Sequence, residues 1–343
     1  MTREFFRCTA LVLGLSLFMS ANATTITIVS GDGPGEGFNS STPAAPVAGN
    51  PGTTLGQQYA NVFRAAADFW ESKIDSSVEI RVQAVFDPLV CEATQAQLGG
   101  AGPLNGFINF PNAPAANTIY VVAHANSIAG EDLDPINNDI DSVFNSLLNG
   151  NPSCLGGVSW WTGINSPAPS GTIALYDTVL HEIAHGLGFL TLVDSNGQRL
   201  QDFNDVFMLN LFDVSQGRSW AAMTNTQRRT STVSNGSVVW RGSNVAAGAG
   251  VFTAGRNAGM LRIYAPNPYE QGSSNSHWDT VLGPDELMEP FATTRSDSCA
   301  TVLAFKDMGW RTRDECGASG ANPNGDFIVP PILQLLLLDD DSN

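Results

Sequence analysis

Two histidines, His181 and His185, stand four positions apart in the segment HEIAHGLGF at 181–189, and Glu182 lies between them. On a helix, residues four apart share one face, so both imidazoles can bind the same ion. Glu182 is then near enough to take a proton from a water on that ion. The pattern predicts a catalytic zinc site with Glu182 as general base. The alternative without a metal is a helix whose histidines only pack or cap.

A catalytic zinc usually has three protein ligands and keeps a fourth position for water. The segment supplies two, and the nearest position for a third histidine, three residues past Gly188, holds Thr191. No glutamate lies between Glu182 and Glu270, which excludes a glutamate ligand on the next helix. The remaining candidates are two histidines, of which the first is expected to be structural, and four aspartates: His124, His277, Asp194, Asp202, Asp205 and Asp213.

His277 lies in the stretch SNSHWDTVLGPDELMEP, and Met288 follows it by eleven residues. With HEIAHGLGF, the tripeptides SHW and ELM resemble the leishmanolysin-like branch of the metzincin zinc peptidases, in a bacterial, exported form. That branch separates its third histidine from the helix by a long insertion and places a methionine turn beneath the zinc. The resemblance implies that His277, 92 positions after His185, is the third ligand and that Met288 is the turn methionine.

The resemblance is strong over 174–189 and 273–310 and only architectural over 24–160. It implies an α+β fold: a twisted, mainly parallel sheet with a backing helix and an active-site helix, then an irregular C-terminal subdomain that carries the third ligand. It also implies a secreted zinc metalloendopeptidase whose substrates are proteins or peptides. We expect the protein to be a monomer.

Two other functions fit the same residues. A secreted adhesion or interaction module could hold zinc for structure alone, although a purely structural site needs no base and usually fills its fourth position with protein. An aspartate-ligated zinc protease would use Asp205 in place of His277.

Apolar patterning predicts the elements that position these residues. A helix is predicted after Thr54, the motif helix from Leu175 to the glycines at 186 and 188, and a last helix at 298–310. The predicted strands are 24–29, 78–86, 117–125 and edge strands within 142–161. We expect 157–161 to be an edge that can bind an extended peptide.

The chain divides into four predicted parts. Residues 1–23 have the charged start, short apolar core and Ala-Asn-Ala end of a secretory signal peptide. The N-terminal catalytic subdomain is expected at 24–189, the C-terminal subdomain with its long insertion at 190–316, and a tail at 317–343. The apolar run in the tail is too short to span a bilayer.

Charge and cysteine content narrow the partners and the compartment. The formal net charge is −17. Such a charge repels phosphate backbones and argues against a nucleic-acid-binding function. After removal of the leader, four cysteines remain, which suggests two disulfides. Three pairings are open, and we favour Cys91–Cys154 with Cys299–Cys316. The acidic stretch at 131–141 could bind Ca²⁺, but a solvated loop is the simpler expectation.

Overall fold

The structure is a computed structural model that describes residues 23–291 and 298–313 of the 343-residue chain. Over these residues the fold is mixed α+β, with six α-helices and several small mixed sheets, which confirms the predicted α+β class. The α-helices are α1 (Leu55–Lys73), α2 (Val122–Ala129), α3 (Leu175–Gly186), α4 (Asn225–Ser231), α5 (Ser243–Gly248) and α6 (Cys299–Met308). Single 3₁₀ turns lie at Gly37–Asn39, Leu200–Asp202, Met208–Asn210, Trp220–Ala222 and Ala249–Val251.

Most strands are short. In chain order they are β1 (Ile26–Ser30), β2 (Ile74–Asp75), β3 (Ile80–Asp87), β4 (Gly99–Pro103), β5 (Gly106–Phe107), β6 (Thr118–Val121), β7 (Ile140–Asn145), β8 (Ser159–Trp161), β9 (Thr172–Ala174), β10 (Asn204–Asp205), β11 (Leu211–Asp213), β12 (Arg218–Ser219), β13 (Val238–Trp240), β14 (Arg256–Asn257), β15 (Met260–Leu261) and β16 (Arg311–Thr312).

The largest sheet has four strands in the order β1-β3-β7-β4. The first three are parallel, and β4 is an antiparallel edge strand paired with β7. Strand β3 alternates between buried and half-buried side chains, as its sequence pattern predicts. Helices α1 and α3 pack against each other, α1 also against β1, and α3 also against β4 and β7.

Helix α1 is anchored at its start and along its buried face. The Thr54 hydroxyl accepts a hydrogen bond from the Gln57 backbone N–H and so caps the helix. Val62, Phe63 and Trp70 are fully buried. The Trp70 indole N–H donates to the carbonyl oxygen of Leu180 at 3.0 Å. This bond ties α1 directly to the helix that carries the HEIAH motif.

Two of the expected strands differ from the structure. Residues 117–125 form a strand only over Thr118–Val121, after which the chain turns into α2. The alanines of VAHANSIA favour a helix, and Gly130, with φ 75°, ends it in the left-handed conformation. Strand β8, expected as a peptide-binding edge, lies outside the main sheet and pairs with β9 in a separate two-stranded sheet. The edge strands of the main sheet are β1 and β4.

Residues after α3 form small sheets around an aromatic core. Trp240 and Trp278 are fully buried and pack edge to face at 5.7 Å between ring centroids. Phe189 contacts both tryptophans. Helix α6 then returns to the first half of the chain, where Phe305 packs on Trp70 at 5.4 Å. The end of the motif helix is therefore enclosed by residues from distant parts of the sequence.

The predicted Cys91–Cys154 disulfide is present, with the two Cα atoms 5.0 Å apart. Such a bond is compatible with a secreted protein. The predicted Cys299–Cys316 pair cannot be followed because Cys316 lies outside the described residues, as do nearly all of the predicted signal peptide and the 317–343 tail. Within the described part of the chain, no helix has both the length and the apolar character to cross a bilayer.

His124 is structural, as expected, and lies in α2 with its ring stacked on Trp310 at 4.6 Å. It is 1% exposed, and neither ring nitrogen has a hydrogen-bond partner of good geometry. Burial lowers the pKa of His124 from 6.5 to about 3, and the backbone of Gly309 opposes only part of that shift. The folded protein therefore holds this imidazole neutral between these two pH values.

We predict that His124→Phe makes the protein more resistant to acid. Below pH 6.5 the unfolded chain binds a proton at His124 that the folded chain rejects until about pH 3. The wild-type free energy of unfolding should therefore fall by about 1.4 kcal/mol more per pH unit than that of the variant. Urea denaturation should give the free energy of unfolding of both proteins at pH 7.5 and at pH 5.0. Between these pH values the wild type should lose about 2 kcal/mol more than the variant. Parallel pH dependences would contradict this account.

Candidate metal centre

Helix α3 brings two of the predicted ligands to one face, and the chain near its third candidate folds back onto them. His181, His185 and His277 are at most 1% exposed. The Nε2 atoms of His181 and His185 lie 3.0 Å apart, and His277 Nε2 lies 3.1 Å from each of them. Within the described ranges, these three residues are the group of His, Cys, Asp or Glu side chains that could hold a metal ion.

Each of the three imidazoles is oriented by a backbone carbonyl. The Nδ1 atoms of His181, His185 and His277 lie 2.8, 2.8 and 2.7 Å from the carbonyl oxygens of Leu287, Phe189 and Ser273. A carbonyl oxygen can only accept, so each Nδ1 carries the proton. Each neutral ring then has a bare lone pair on Nε2.

Electrostatics keep the three rings neutral. Burial lowers the pKa of His181 to about 4. For His185 and His277, burial and then the neighbouring histidines lower the pKa well below its usual value. Three lone pairs therefore point at one another with no proton between them.

A metal ion fits this arrangement. Imidazole nitrogens bound tetrahedrally at about 2.0–2.1 Å from one ion lie about 3.3 Å apart, close to the separations found here. Nδ1–H bonds to backbone carbonyls are the usual outer contacts of histidine ligands. A cation between the three acceptors would relieve their repulsion, and the donor set of three imidazoles suits zinc and other late first-row metals.

The C-terminal end of α3 positions His185. The Phe189 N–H donates to Ala184 O, and the Gly188 N–H donates to His185 O, which is the Schellman pattern of helix ends. Gly188 adopts φ 111°, a conformation that other residues rarely reach. The turn brings the Phe189 carbonyl back to His185 Nδ1. Gly188 is therefore required for the hydrogen bond that orients His185.

Thr191, which stands where a third histidine was sought, supports the distant histidine indirectly. Its N–H donates to the hydroxyl of Ser276, the neighbour of His277, at 3.1 Å. Its own hydroxyl donates to Asp205 at 2.9 Å. Asp205 also accepts hydrogen bonds from the N–H groups of Leu192 and Met208. Asp205 therefore fastens the segment after α3 and does not join the histidine group, as an aspartate-ligated site would require.

Glu182 is the next residue on α3 after the first ligand and is completely buried. Neither of its carboxylate oxygens has a hydrogen-bond partner of good geometry among the described residues. Burial raises the pKa of Glu182 well above its ordinary value, and the backbone of nearby Ala101 opposes only part of the rise. A buried carboxyl without a protein partner is costly for folding alone, and such a group beside a metal site is a candidate catalytic residue.

The residues around the predicted turn methionine contact the first ligand through the backbone. Met288 is fully buried, and its carbonyl accepts from the Trp278 N–H at 2.8 Å. The preceding residue, Leu287, supplies the carbonyl for His181. Sequence reasoning did not find the three backbone carbonyls, because backbone acceptors leave no residue signature. It also gave no role to Glu286 beyond its place in the ELM tripeptide, because a carboxylate flanked by Asp285 and Glu289 is typical of a solvated segment.

The acidic stretch at 131–141 does not form a converging group of three carboxylates in the described part of the chain. Asp132 and Asp134 accept hydrogen bonds from Asn and backbone donors in the loop. Asp139 is buried and accepts from Asn126 and the Arg81 N–H. These hydrogen bonds give Asp132, Asp134 and Asp139 a structural role in the loop.

A scan against protein-family models, a search of curated proteins and a search of solved structures each found no match for this chain. The resemblance to leishmanolysin-like metzincins therefore rests on the motifs and on the convergence of the three histidines.

We predict that Gly188→Ala weakens both folding and metal binding. A methyl group at φ 111° is strained and would lie 3.2 Å from Val121 Cγ2. The free energy of unfolding should fall by about 1–2 kcal/mol, and displacement of the Phe189 carbonyl should weaken the metal complex. Chemical denaturation and chelator competition measure the two effects. Gly250→Ala is the matched control, because its added methyl group meets nothing within 4 Å. Equal behaviour of the two variants would contradict the role of this turn.

Proposed function

We propose that this protein is a secreted zinc-dependent metalloendopeptidase of the leishmanolysin-like metzincin type. In this proposal His181, His185 and His277 bind zinc, and Glu182 is the general base. The observation that carries the proposal is the fully buried Glu182 carboxylate. It has no hydrogen-bond partner of good geometry within the part of the chain that the structure describes, and it is adjacent in sequence to the first of the converging histidines.

The chemistry follows from the positions of these groups. When bound, zinc would lower the pKa of a coordinated water to about 7 and polarise the scissile carbonyl. Glu182 accepts a proton from the attacking water while the water oxygen bonds to the carbonyl carbon. Glu182 then delivers that proton to the amide nitrogen as the C–N bond breaks. A carboxylate already committed to protein hydrogen bonds would be less able to serve in both steps.

The edge strand β4 of the main sheet supports a peptide as substrate. Strand β4 is a terminal strand of its sheet and pairs only with β7 among the described strands. A Cβ atom at Gly99, the first residue of β4, would lie 3.3 Å from Glu182 Oε1. An extended peptide that added to this edge would run beside the general base. Gly99, Gly100 and Ala101 are buried and the last two residues of β4 are half-buried, so the more open part of this edge is its C-terminal end.

The adhesion or interaction module is the competing proposal. It would hold the same metal for structure alone, and it leaves the unpartnered Glu182 unexplained. A structural zinc site usually has four protein ligands, whereas the converging group in the described residues has three. Both arguments favour a catalytic site.

We predict that Glu182→Gln keeps the metal and loses hydrolysis. Removal of a general base should lower kcat by about 10²–10⁴-fold. Metal content by mass spectrometry and hydrolysis of casein should be measured in the wild type and the variant. His277→Ala should lose metal and activity together, and His124→Phe, which changes the remaining histidine, should retain both at neutral pH.

Each alternative has a distinct outcome in the same assays. Bound zinc without hydrolysis in the wild type would favour the interaction module. Full activity in His277→Ala would exclude the metzincin assignment. Loss of metal in a folded Asp205→Asn variant would favour the aspartate-ligated protease, whereas the proposal expects that variant to be less stable but metal-bound.

A further inference from the structure

Glu286 is a completely buried carboxylate that has no role in the proposed chemistry. It accepts hydrogen bonds from the N–H groups of Ala300 and Thr301 at the start of α6. It also accepts from the Thr301 hydroxyl and from the Leu287 N–H, both at 2.8 Å. A negative charge at a helix N-terminus is favourable because of the helix dipole and its free N–H groups. Glu286 thus attaches the turn at 286–288 to α6.

The same bonds also fix the backbone of Leu287, which lies next to the metal site. Glu286 accepts from the Leu287 N–H, while the Leu287 carbonyl accepts from His181 Nδ1. The two groups belong to successive peptide units that share the Leu287 Cα atom. If the Leu287 backbone moved, His181 would lose the bond that keeps its Nδ1 protonated and its Nε2 bare.

We propose that Glu286 is a positioning residue for the metal site. It orients His181 by anchoring the backbone of Leu287 to α6. This inference rests on the metal site of the proposed function, but not on peptide hydrolysis. It assigns to α6, which supplies none of the three histidines, the task of setting the geometry of one of them.

Asp307 offers a direct comparison within the same helix. Its carboxylate accepts hydrogen bonds from the N–H groups of Asn244 and Val245 at the start of α5, and from the Trp240 indole. It is thus also a carboxylate that joins α6 to another part of the C-terminal region. None of these three donors belongs to the residues whose carbonyls accept from the histidines of the metal site. Loss of Asp307 should therefore affect stability without affecting the metal.

The experiment compares Glu286→Gln with Asp307→Asn in the full chain. The variants should be tested for thermal unfolding of the metal-free protein, for zinc affinity by chelator competition, and for the visible absorption of the Co²⁺ form. Each amide keeps the size of its carboxylate but replaces one acceptor oxygen with a donor. We expect both variants to unfold at lower temperature. Only Glu286→Gln should lose about 10- to 100-fold in zinc affinity and change the Co²⁺ spectrum.

A milder variant keeps the test informative if Glu286→Gln does not fold. Thr301→Val retains the helix N–H but removes the hydroxyl, which donates to Glu286 and accepts from the Trp278 indole N–H. The loss of the bond to Glu286 should lower zinc affinity by about threefold. Wild-type zinc affinity in a folded Glu286→Gln or Thr301→Val variant would overturn the inference. So would an equal loss of affinity in Asp307→Asn.

The outcome for Glu286 is separable from the outcome for the peptidase. Weaker zinc binding in Glu286→Gln, with no casein hydrolysis even in the wild type, would support the positioning role and contradict the proposed function. Normal hydrolysis in the wild type, together with unchanged metal affinity in Glu286→Gln, would support the proposed function and contradict the positioning role.

Discussion

Three backbone carbonyls hold three Nδ1–H groups, and this constraint leaves three bare Nε2 atoms within 3.1 Å of one another. Neutral imidazoles arranged in this way repel each other unless a cation lies between them. The cost is tolerable only because the surrounding fold determines the position of every carbonyl. The folding of the second half of the chain and the chemistry of the centre are thus linked.

Each of the three carbonyls is positioned by a different local structure. The Phe189 carbonyl depends on the helix end at Gly188, and the Leu287 carbonyl on the buried contact between Glu286 and α6. The Ser273 carbonyl belongs to a turn in which the N–H groups of Ser273 and Ser274 donate to Glu270 O. A substitution at a residue distant in sequence from the histidines can therefore alter the orientation of one histidine at a time. This separation makes single-residue tests of the centre informative.

Local patterns were sufficient to predict three elements in the first half of the fold. Alternation in β3, the apolar face and Thr54 cap of α1, and the HEIAH helix each have a short-range signal. The path after β6 was wrong because the apolar run at 117–125 suits either a strand or a helix, and the position of Gly130 decides. The histidine census and the SHW and ELM tripeptides identified His277. The pairing of β8 with β9, and the position of β4 at one edge of the main sheet, depend on long-range contacts that one sequence does not display.

The central claim is that one metal ion binds to three imidazoles, and X-ray absorption spectroscopy of the zinc-loaded wild-type protein tests it most directly. The account predicts zinc surrounded by nitrogen and oxygen at about 2.0–2.1 Å, with the scattering of three imidazole rings. The same spectrum from His277→Ala should show one imidazole fewer or no bound zinc. Sulfur ligands at about 2.3 Å, or an unchanged three-imidazole spectrum in that variant, would contradict the account.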